Sequence, residues 1–426
     1  MAPLLHAFSG HQLKLTMTNL ESPAMEAEMD HILRSWENGV RGGMQLMGGM
    51  YQWFGAAMGM NPCAKPWAAA LNNYGKFLTE KSMPIASGHW ETSNQVVHCG
   101  LKVALRKFNG TEKGNPLLLV PPEAGHNSQI VDYGPGQSLV QCALDHFAGD
   151  VYVVDKLPAD TEHATYSMDD CIRSLDLCIQ HIGKPVHLVG LCQGGWQAAI
   201  YTALFTERVK TLTLAGAPID FHAGDGIISE WAQSLPLSVY QAMVAAGGGC
   251  MPGAFIVTGF KMMNAFDRFV GDDVNLYKNI NDPKYIERYR RFNKWYQFTQ
   301  PLGGRMYLEV VKYLFKENRL VKGLLEIMGR RVDLSRIYHP LFLVAGTKDD
   351  ITPPAQLFAI RKHASSLLIE ERLAEAGHIG VFMGNDVIKT IWTDIFQRLS
   401  AFTFEDRFDV DLRAFTGALN EETSTP

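Results

Sequence analysis

Three stretches of this chain supply the side chains of a nucleophilic catalyst. Gly190–Gly194 reads GLCQG, a G-x-C-x-G pattern, and lies between an apolar run, VHLVGL, and a helix-like run, WQAAIYTALF. Asp349 and Asp350 follow a later apolar run, and His378 lies further on in EAGHIGVFMG. A thiol, a carboxylate and an imidazole in this chain order are the parts of a nucleophile, acid and base triad.

Cys192 is the predicted nucleophile. A turn from strand to helix is so tight that glycine is needed on both sides of the nucleophile, whose backbone is strained and whose side chain is exposed. The helix dipole and the free N–H groups at a helix N-terminus favour a thiolate. We expect His378 to take the thiol proton and a carboxylate, Asp349 in preference to Asp350, to orient the imidazole. The sequence contains no G-x-S-x-G.

The oxyanion donors and substrate contacts are predicted from the neighbouring loops. The backbone N–H of Gln193 follows the nucleophile directly, where a developing oxyanion would form. A second donor is expected in the loop PPEAGHNSQ, from the N–H of Glu123 or Ala124. Further expected substrate contacts are His126, Asn127 and Trp196.

The elements that must position these residues alternate along the chain. Short runs rich in Val and Leu predict strands buried on both faces of a parallel sheet; they are LKVALRKF, PLLLVPP, VYVVD, VHLVGL and TLTLAGAP. Two further strands are predicted after the helical block, at PLFLVAG and SLLIEERL. Helical runs separate them, one of which opens with a capping box at Ser167–Asp170. This alternation predicts a doubly wound α/β fold.

The domain boundaries follow from changes in this pattern. A helical block that interrupts an α/β sheet is typical of a lid over the substrate pocket. The predicted divisions are a helical N-terminal extension (1–90), a first core part (91–222), a helical lid (223–335), a second core part (336–405) and a polar tail (406–426).

Composition excludes several function classes. The net charge of −5 gives no argument for nucleic acid binding, and the seven cysteines form no C-x-x-C pair, so we expect no zinc site and a reducing cytoplasm. No nucleotide-binding or metalloprotease motif occurs, so no cofactor and no metal are expected. Residues 42–60 carry no charge but hold six glycines. We therefore expect no transmembrane span, but a helix packed on the protein or lying on a lipid or polymer surface.

These motifs resemble the group that unites polyhydroxyalkanoate synthases with intracellular polyhydroxyalkanoate depolymerases. PPEAGHNSQIVDYGPGQSLV, LVGLCQGG and VDLSRIYHPLFLVAGTKDDITPP resemble the synthases, whereas DVYVVDKLPAD, GHIGVFMG and the segment from Gly304 to Val332 resemble the depolymerases. The resemblance implies an α/β-hydrolase fold with Cys192, Asp349 and His378 as its triad. The chain departs from the synthases at Asp350 and Trp196 and from the depolymerases at Gly194 and Lys156.

Three functions remain open on this basis. The first is a cysteine enzyme that hydrolyses 3-hydroxybutyrate-type polyesters, placed narrowly ahead of a synthase-like acyltransferase that polymerises 3-hydroxyacyl-coenzyme A. The third is a non-catalytic granule-surface protein. The expected partners are a hydroxyalkanoate ester or polymer, with a granule surface and a homodimer left open, and the expected location is the cytoplasm or its polyhydroxyalkanoate granules.

Overall fold

The computed structural model describes residues 23–59, 65–83, 89–108, 110, 114–263 and 271–402. It forms two compact units: the described parts of Met1–Ser87 with Thr258–Phe298, and the described parts of Gly88–Val257 with Thr299–Pro426. The predicted lid over 223–335 is therefore divided between the two units. The predicted tail, 406–426, lies outside the described residues.

The bounds of the elements are as follows. The strands are β1 (Asn94–Gly100), β2 (Val103–Phe108), β3 (Leu117–Val120), β4 (Val151–Lys156), β5 (Val186–Leu191), β6 (Val209–Ala215), β7 (Leu341–Gly346) and β8 (Ile369–Ala374). The helices are α1 (Pro23–Gly59), α2 (Lys65–Lys81), α3 (Leu139–His146), α4 (Met168–Ile182), α5 (Gln193–Leu204), α6 (Ile227–Ser234), α7 (Leu237–Ala246), α8 (Gly253–Met263), α9 (Asp272–Lys278), α10 (Pro283–Tyr296), α11 (Gly304–Glu309), α12 (Pro354–Phe358), α13 (Gly380–Met383), α14 (Asn385–Val387) and α15 (Thr393–Phe402). Val310–Lys316 and Ile388–Trp392 are π-helical, and short 3₁₀ segments occur at Ser128–Val131, Thr161–His163, Thr206–Arg208, Leu334–Arg336 and Ala359–Lys362. Two-residue strands pair at Cys250–Met251 with Leu302–Gly303 and at Glu326–Ile327 with Arg330–Arg331.

The eight strands of the main sheet lie in the order β1-β2-β4-β3-β5-β6-β7-β8. The pairs from β4 through β8 are parallel, whereas β2 is antiparallel to both β1 and β4. Every residue of β3, β5 and β7 is buried, as expected for strands covered by helices on both faces. With helices between the strands, this is the α/β-hydrolase fold that the resemblance implied.

The sheet also differs from the prediction at two strands. β1 was not predicted, because NQVVHCG is half exposed and reads as a polar run. LKVALRKF was predicted as a strand of a parallel sheet, which is wrong for β2 because it pairs antiparallel on both sides. SLLIEERL was predicted as a strand, and β8 is a partly exposed edge strand of the sheet.

The smaller unit contains a glycine-lined pair of helices. In α1, a Cβ on Gly48 would lie 2.8 Å from the carbonyl oxygen of Gly75 in α2, and one on Gly55 would lie 2.7 Å from that of Ala68. Close approach of two helix backbones requires glycine at such points. Residues 42–59 of the predicted uncharged helix belong to α1, and Met60 lies outside the described residues. Among the described helices, none has the length and apolar character needed to cross a bilayer.

The sheet topology decides where a site can form. β4 lies on one side of β3 and β5 on the other, so the connections after β3 and after β4 run in opposite directions across the sheet. The gap between the neighbouring strands β3 and β5 is therefore a topological switch point. In open α/β sheets the crevice for a ligand opens at such a switch point, beyond the carboxyl ends of the strands. The loop with Glu123 follows β3 and Cys192 follows β5 directly.

Candidate active site

Cys192 occupies the turn between β5 and α5 in a strained conformation. Its φ is 50° and its ψ is −119°, a combination that costs energy for any residue with a side chain. The Cys192 N–H donates to the carbonyl oxygen of Ala215 in β6 (2.9 Å), and the Gly195 N–H donates to the carbonyl oxygen of Cys192 (2.8 Å). These bonds hold the turn. The Cys192 residue is only 6% exposed, so the expectation that its side chain is exposed is wrong.

The glycines beside Cys192 are required by close backbone contacts. A Cβ on Gly194 would lie 2.1 Å from the carbonyl oxygen of Val120, and one on Gly190 would lie 2.6 Å from that of Gly194. Atoms at such distances overlap, so the chain would have to move. The prediction that this turn leaves no room for side chains is confirmed.

Replacing Gly194 with alanine is expected to destabilise the protein, because the end of β3 and the start of α5 would have to separate. Overpacking of this kind costs about 1–3 kcal/mol. Thermal unfolding would measure it as a lower Tm. The control is Gly49→Ala, since a Cβ on Gly49 meets nothing within 4 Å. An unchanged Tm for Gly194→Ala would contradict the close approach.

His378 and Asp349 meet as the sequence predicts. His378 Nδ1 lies 2.8 Å from Asp349 Oδ2. Asp349 Oδ1 accepts hydrogen bonds from the N–H groups of Ile351 (3.0 Å) and Thr352 (2.8 Å). The carboxylate is therefore fixed on the backbone of its own turn and holds one edge of the imidazole. The catalytic roles of these residues stay predictions.

The charge environment of His378 favours its protonated form. Burial on its own would lower the pKa of His378, but the charge of Cys192, the charge of Asp349 and hydrogen bonds to both raise it to about 10. At neutral pH His378 is therefore expected to be an imidazolium, paired with the charge of Cys192 that raises its pKa. A cysteine paired with a histidine in this way is a strong nucleophile without further activation.

The pKa of His378 is expected to fall when Cys192 becomes alanine, because the charge and the hydrogen bond of Cys192, which both raise this pKa, are lost. The measurement is a titration of ¹³Cε1-histidine NMR signals, with His378→Gln to assign the resonance. In the wild type the signal should titrate near pH 10. A signal that titrates near the ordinary histidine value of about 6.5 in both proteins would rule out the ion pair.

The two predicted oxyanion donors lie on either side of the switch point. Gln193 is the first residue of α5, so its N–H has no partner within the helix. The loop that contains Glu123 begins at Pro121, whose carbonyl oxygen would lie 2.7 Å from a Cβ on Gly194. The helix start and the loop are thus in contact, and the donor roles of Gln193 and Glu123 or Ala124 stay predictions.

A cluster of buried charges that includes Glu123 of this loop was not predicted from the sequence. Glu123 Oε1 lies 2.8 Å from Lys102 Nζ, and Glu123 Oε2 lies 3.5 Å from Lys156 Nζ. Burial favours the neutral acid, but the two lysines lower the pKa of Glu123 to about 2. A signal was present in the sequence: Lys102 directly precedes the apolar residues VAL of β2, and Lys156 ends the mostly apolar strand VYVVDK. A buried charge in such a place needs a partner.

The three predicted substrate contacts lie in different surroundings. His126 is half buried and pairs with Thr299 through an isolated β-bridge. Asn127 caps the short helix at Ser128–Val131, accepting from the N–H of Gln129. Trp196 is buried in the core and donates to Gln193 Oε1 (2.5 Å). Their contact with substrate stays a prediction.

No set of three or more His, Cys, Asp or Glu side chains is placed to hold a metal ion within the part of the chain that the structure describes.

A family profile decides the relationship of this chain. The profile described as "Protein of unknown function (DUF3141)" matches residues 102–403, well over half of the chain. The chain belongs to the DUF3141 family. The match runs from the start of β2 to the end of α15 and so contains the whole candidate site.

Curated relatives of this DUF3141 protein include members of the synthase group to which its motifs show a resemblance. It is 26% identical over 311 residues to "Poly(3-hydroxyalkanoate) polymerase subunit PhaC" of Haloferax mediterranei, with 71% of this chain and 62% of that protein covered. It is 25% identical to the subunit of the same name from Allochromatium vinosum, with 70% and 85% covered. The chain thus spans less than two thirds of the Haloferax subunit.

Among solved structures, a thermophilic esterase from Thermogutta terrifontis aligns with 73% of this chain and 100% of its own length, at 17% identity and a TM-score of 0.43. A likeness this low carries no argument, and the strand order of the main sheet itself supports the fold. The relatives confirm the predicted resemblance to the polyhydroxyalkanoate synthase group.

Proposed function

We propose that this protein is a cysteine acyltransferase that moves a 3-hydroxyacyl group from a coenzyme A thioester to a hydroxyl group, as in polyester synthesis. The observation that carries the proposal is Cys192 at the strained turn after β5, with His378 held by Asp349. The name of the curated relatives supports this direction of transfer. Coenzyme A enters as part of the substrate and not as a cofactor.

The first half of the reaction uses the ion pair. The Cys192 thiolate attacks the carbonyl carbon of the thioester, and the oxyanion that forms accepts hydrogen bonds from the N–H of Gln193 and of Glu123 or Ala124. The tetrahedral intermediate collapses, the bond to the coenzyme A sulfur breaks, and the departing sulfur takes the proton of the His378 imidazolium. The acyl group is then bound to Cys192 as a thioester.

The second half uses the neutral imidazole that remains. His378 accepts the proton of an incoming hydroxyl group, whose oxygen attacks the acyl carbon and expels the Cys192 thiolate. The product is an ester when the hydroxyl belongs to a hydroxyacyl chain and a free acid when it belongs to water. A thioester on Cys192 is close in energy to the coenzyme A thioester, so loading is nearly balanced.

Hydrolysis of hydroxyalkanoate esters is the second candidate. The sequence analysis placed it first, and that preference is not confirmed. The motif GHIGVFMG, in which Phe382 lies edge-on to His378 with ring centroids 5.2 Å apart, favours this candidate by its resemblance to the depolymerases. The two candidates share the acyl enzyme and differ only in whether water reaches it.

The experiment offers the purified protein 3-hydroxybutyryl-coenzyme A and, separately, amorphous poly(3-hydroxybutyrate). Free coenzyme A with growing polymer supports the acyltransferase. Release of 3-hydroxybutyrate from the polymer, without polymer synthesis, supports the hydrolase. Inactivity with both substrates would contradict both candidates and leave the non-catalytic alternative.

We also propose that α1 binds the surface of the polymer. Exposed apolar side chains follow one face of this helix at positions i, i+1, i+4, i+7 and i+8; they are Leu46, Met47, Met50, Trp53 and Phe54. The segment carries no charge from Gly42 to Met60, so it contains no basic side chain that would attract an anionic lipid surface. An uncharged polyester suits such a face. Granule association, cytoplasmic location and a homodimer otherwise stay predictions.

Trp53→Asp is expected to reduce sedimentation of the protein with amorphous poly(3-hydroxybutyrate) particles several-fold, because Trp53 is 67% exposed and a charge opposes burial against the polymer. The matched control is Gln45→Asp, at an exposed polar position of the same helix. Equal sedimentation of both variants would overturn the proposal. So would wild-type binding to neutral phosphatidylcholine vesicles alone.

A further inference from the structure

The buried charges around Glu123 connect the elements that build the candidate oxyanion site. Gln197 lies on α5, one turn after Gln193. Its Nε2 donates to Glu123 Oε2 (3.3 Å), and its Oε1 accepts from Lys156 Nζ (2.7 Å). Lys102 Nζ forms an ion pair with the other carboxylate oxygen of Glu123, Oε1 (2.8 Å). It also donates to the carbonyl oxygen of Leu157 (2.9 Å).

This arrangement is costly as a device for stability alone. Both lysines and Gln197 are almost fully buried, and Glu123 is nearly so. Ionised groups lose their hydration on burial, and apolar side chains of similar size often serve a core as well or better. The cluster is therefore better explained by the backbone that it fixes.

The backbone in question is the loop that follows β3. Its other contacts are also within the larger unit: the N–H of Gln300 donates to the carbonyl oxygen of Gly125 (2.8 Å). A Cβ on Gly125 would lie 3.2 Å from the carbonyl oxygen of Gly253. The Glu123 side chain thus joins this loop to the buried charges, and the segments around 253 and 300 contact the same loop at Gly125.

We propose that Glu123 is a positioning residue, whose ion pairs with Lys102 and Lys156 and hydrogen bond from Gln197 hold the N–H groups of its loop in a fixed position relative to the N-terminus of α5. The inference rests on the proposed acyl enzyme and assigns the oxyanion geometry of that same site. An oxyanion donor acts only when it points at the place where the charge develops. Loss of the contacts of the Glu123 side chain therefore slows attack on a carbonyl and leaves the Cys192 nucleophile intact.

The test compares two reactions of the same sulfur. Acylation of Cys192 by 3-hydroxybutyryl-coenzyme A passes through an oxyanion, whereas alkylation by iodoacetamide displaces iodide from a saturated carbon and forms none. Glu123→Gln is expected to slow acylation about 10–100-fold, somewhat less than complete loss of a donor, with alkylation within about twofold of the wild type. Rapid-quench mass spectrometry measures both rates.

The control and the second variant keep the test decisive. Asp176→Asn removes another buried carboxylate, paired with Arg208 and Tyr201, and should leave both rates unchanged. Gln197→Leu removes the hydrogen bonds that join α5 to Glu123 and Lys156 without removing a charge, and it should slow acylation by a smaller factor. If Glu123→Gln does not fold, the acylation rate of Gln197→Leu tests the inference.

Wild-type acylation rates in the folded variants, or acylation and alkylation that fall together, would overturn the inference. A wild type that is alkylated but never acylated at Cys192 would instead contradict the proposed function.

Discussion

Cys192→Ala is expected to abolish acyl transfer from 3-hydroxybutyryl-coenzyme A, with a loss in kcat of at least about 10⁴-fold. The reason is that no acyl enzyme can form without the sulfur, and removal of a nucleophile leaves only the small acceleration that binding and the oxyanion donors provide. Release of free coenzyme A, followed with a thiol reagent, measures the loss.

A second buried thiol provides the control for this variant. Cys142 Sγ lies 3.5 Å from Thr393 Oγ1, and burial, the largest effect on this thiol, raises its pKa. Cys142→Ala should therefore keep activity within a few-fold of the wild type. Substantial turnover by Cys192→Ala would mean that the reaction does not pass through this sulfur.

Asp349→Asn is expected to lower kcat about 10³–10⁴-fold, the loss seen when the acid of such a triad becomes an amide. The amide oxygen of the new side chain can still accept the hydrogen bonds that the N–H groups of Ile351 and Thr352 donate to Asp349 Oδ1. The amide nitrogen then faces His378 Nδ1 and donates to it. The imidazole is forced into the tautomer with its proton on Nε2, so it cannot accept a proton there.

The adjacent acid separates the two predicted candidates. Asp350→Asn changes the same charge one residue away and is expected to alter kcat by less than about threefold. Rates for both variants come from the same assay at neutral pH, with circular dichroism to show that each remains folded. Equal losses in the two variants would contradict the assignment of Asp349 as the residue that orients His378.

The buried strands and the tight turn at Cys192 were predictable because each leaves a local pattern. Runs such as VHLVGL lie in a sheet covered on both faces and are mostly apolar, and the glycines of GLCQG mark a turn whose backbone contacts exclude a Cβ. The capping box at Ser167–Asp170 is confirmed, since each side chain bonds the backbone N–H of the other. Such features depend on near neighbours in the sequence.

The buried cluster was not predicted because its partners are far apart in the chain. Lys102, Glu123, Lys156 and Gln197 meet only when four elements have been placed. The pattern at Lys156, a charge directly after VYVVD, shows that a partner is needed but does not say which residue supplies it. β1 was missed for a different reason, since half-exposed residues of an edge strand carry no continuous apolar signal.

The grouping of residues 258–298 with the N-terminal helices was likewise beyond a local pattern. The helical character of 223–335 was readable, but the division between two units depends on packing between segments that are far apart in the chain. Within the smaller unit, Glu80 pairs with Arg290, and Lys81 with Asp273. Neither pair could be chosen from the sequence, because surface charges of both signs are common on all of these helices.

Mass spectrometry of the peptide that contains Cys192, after rapid acid quenching of the protein with 3-hydroxybutyryl-coenzyme A, shows whether acyl transfer passes through this sulfur. We expect one hydroxybutyryl group on Cys192, removable by hydroxylamine, formed as fast as coenzyme A is released and absent from Cys192→Ala. Turnover of the thioester while Cys192 stays unmodified at every quench time would contradict an acyl enzyme on Cys192.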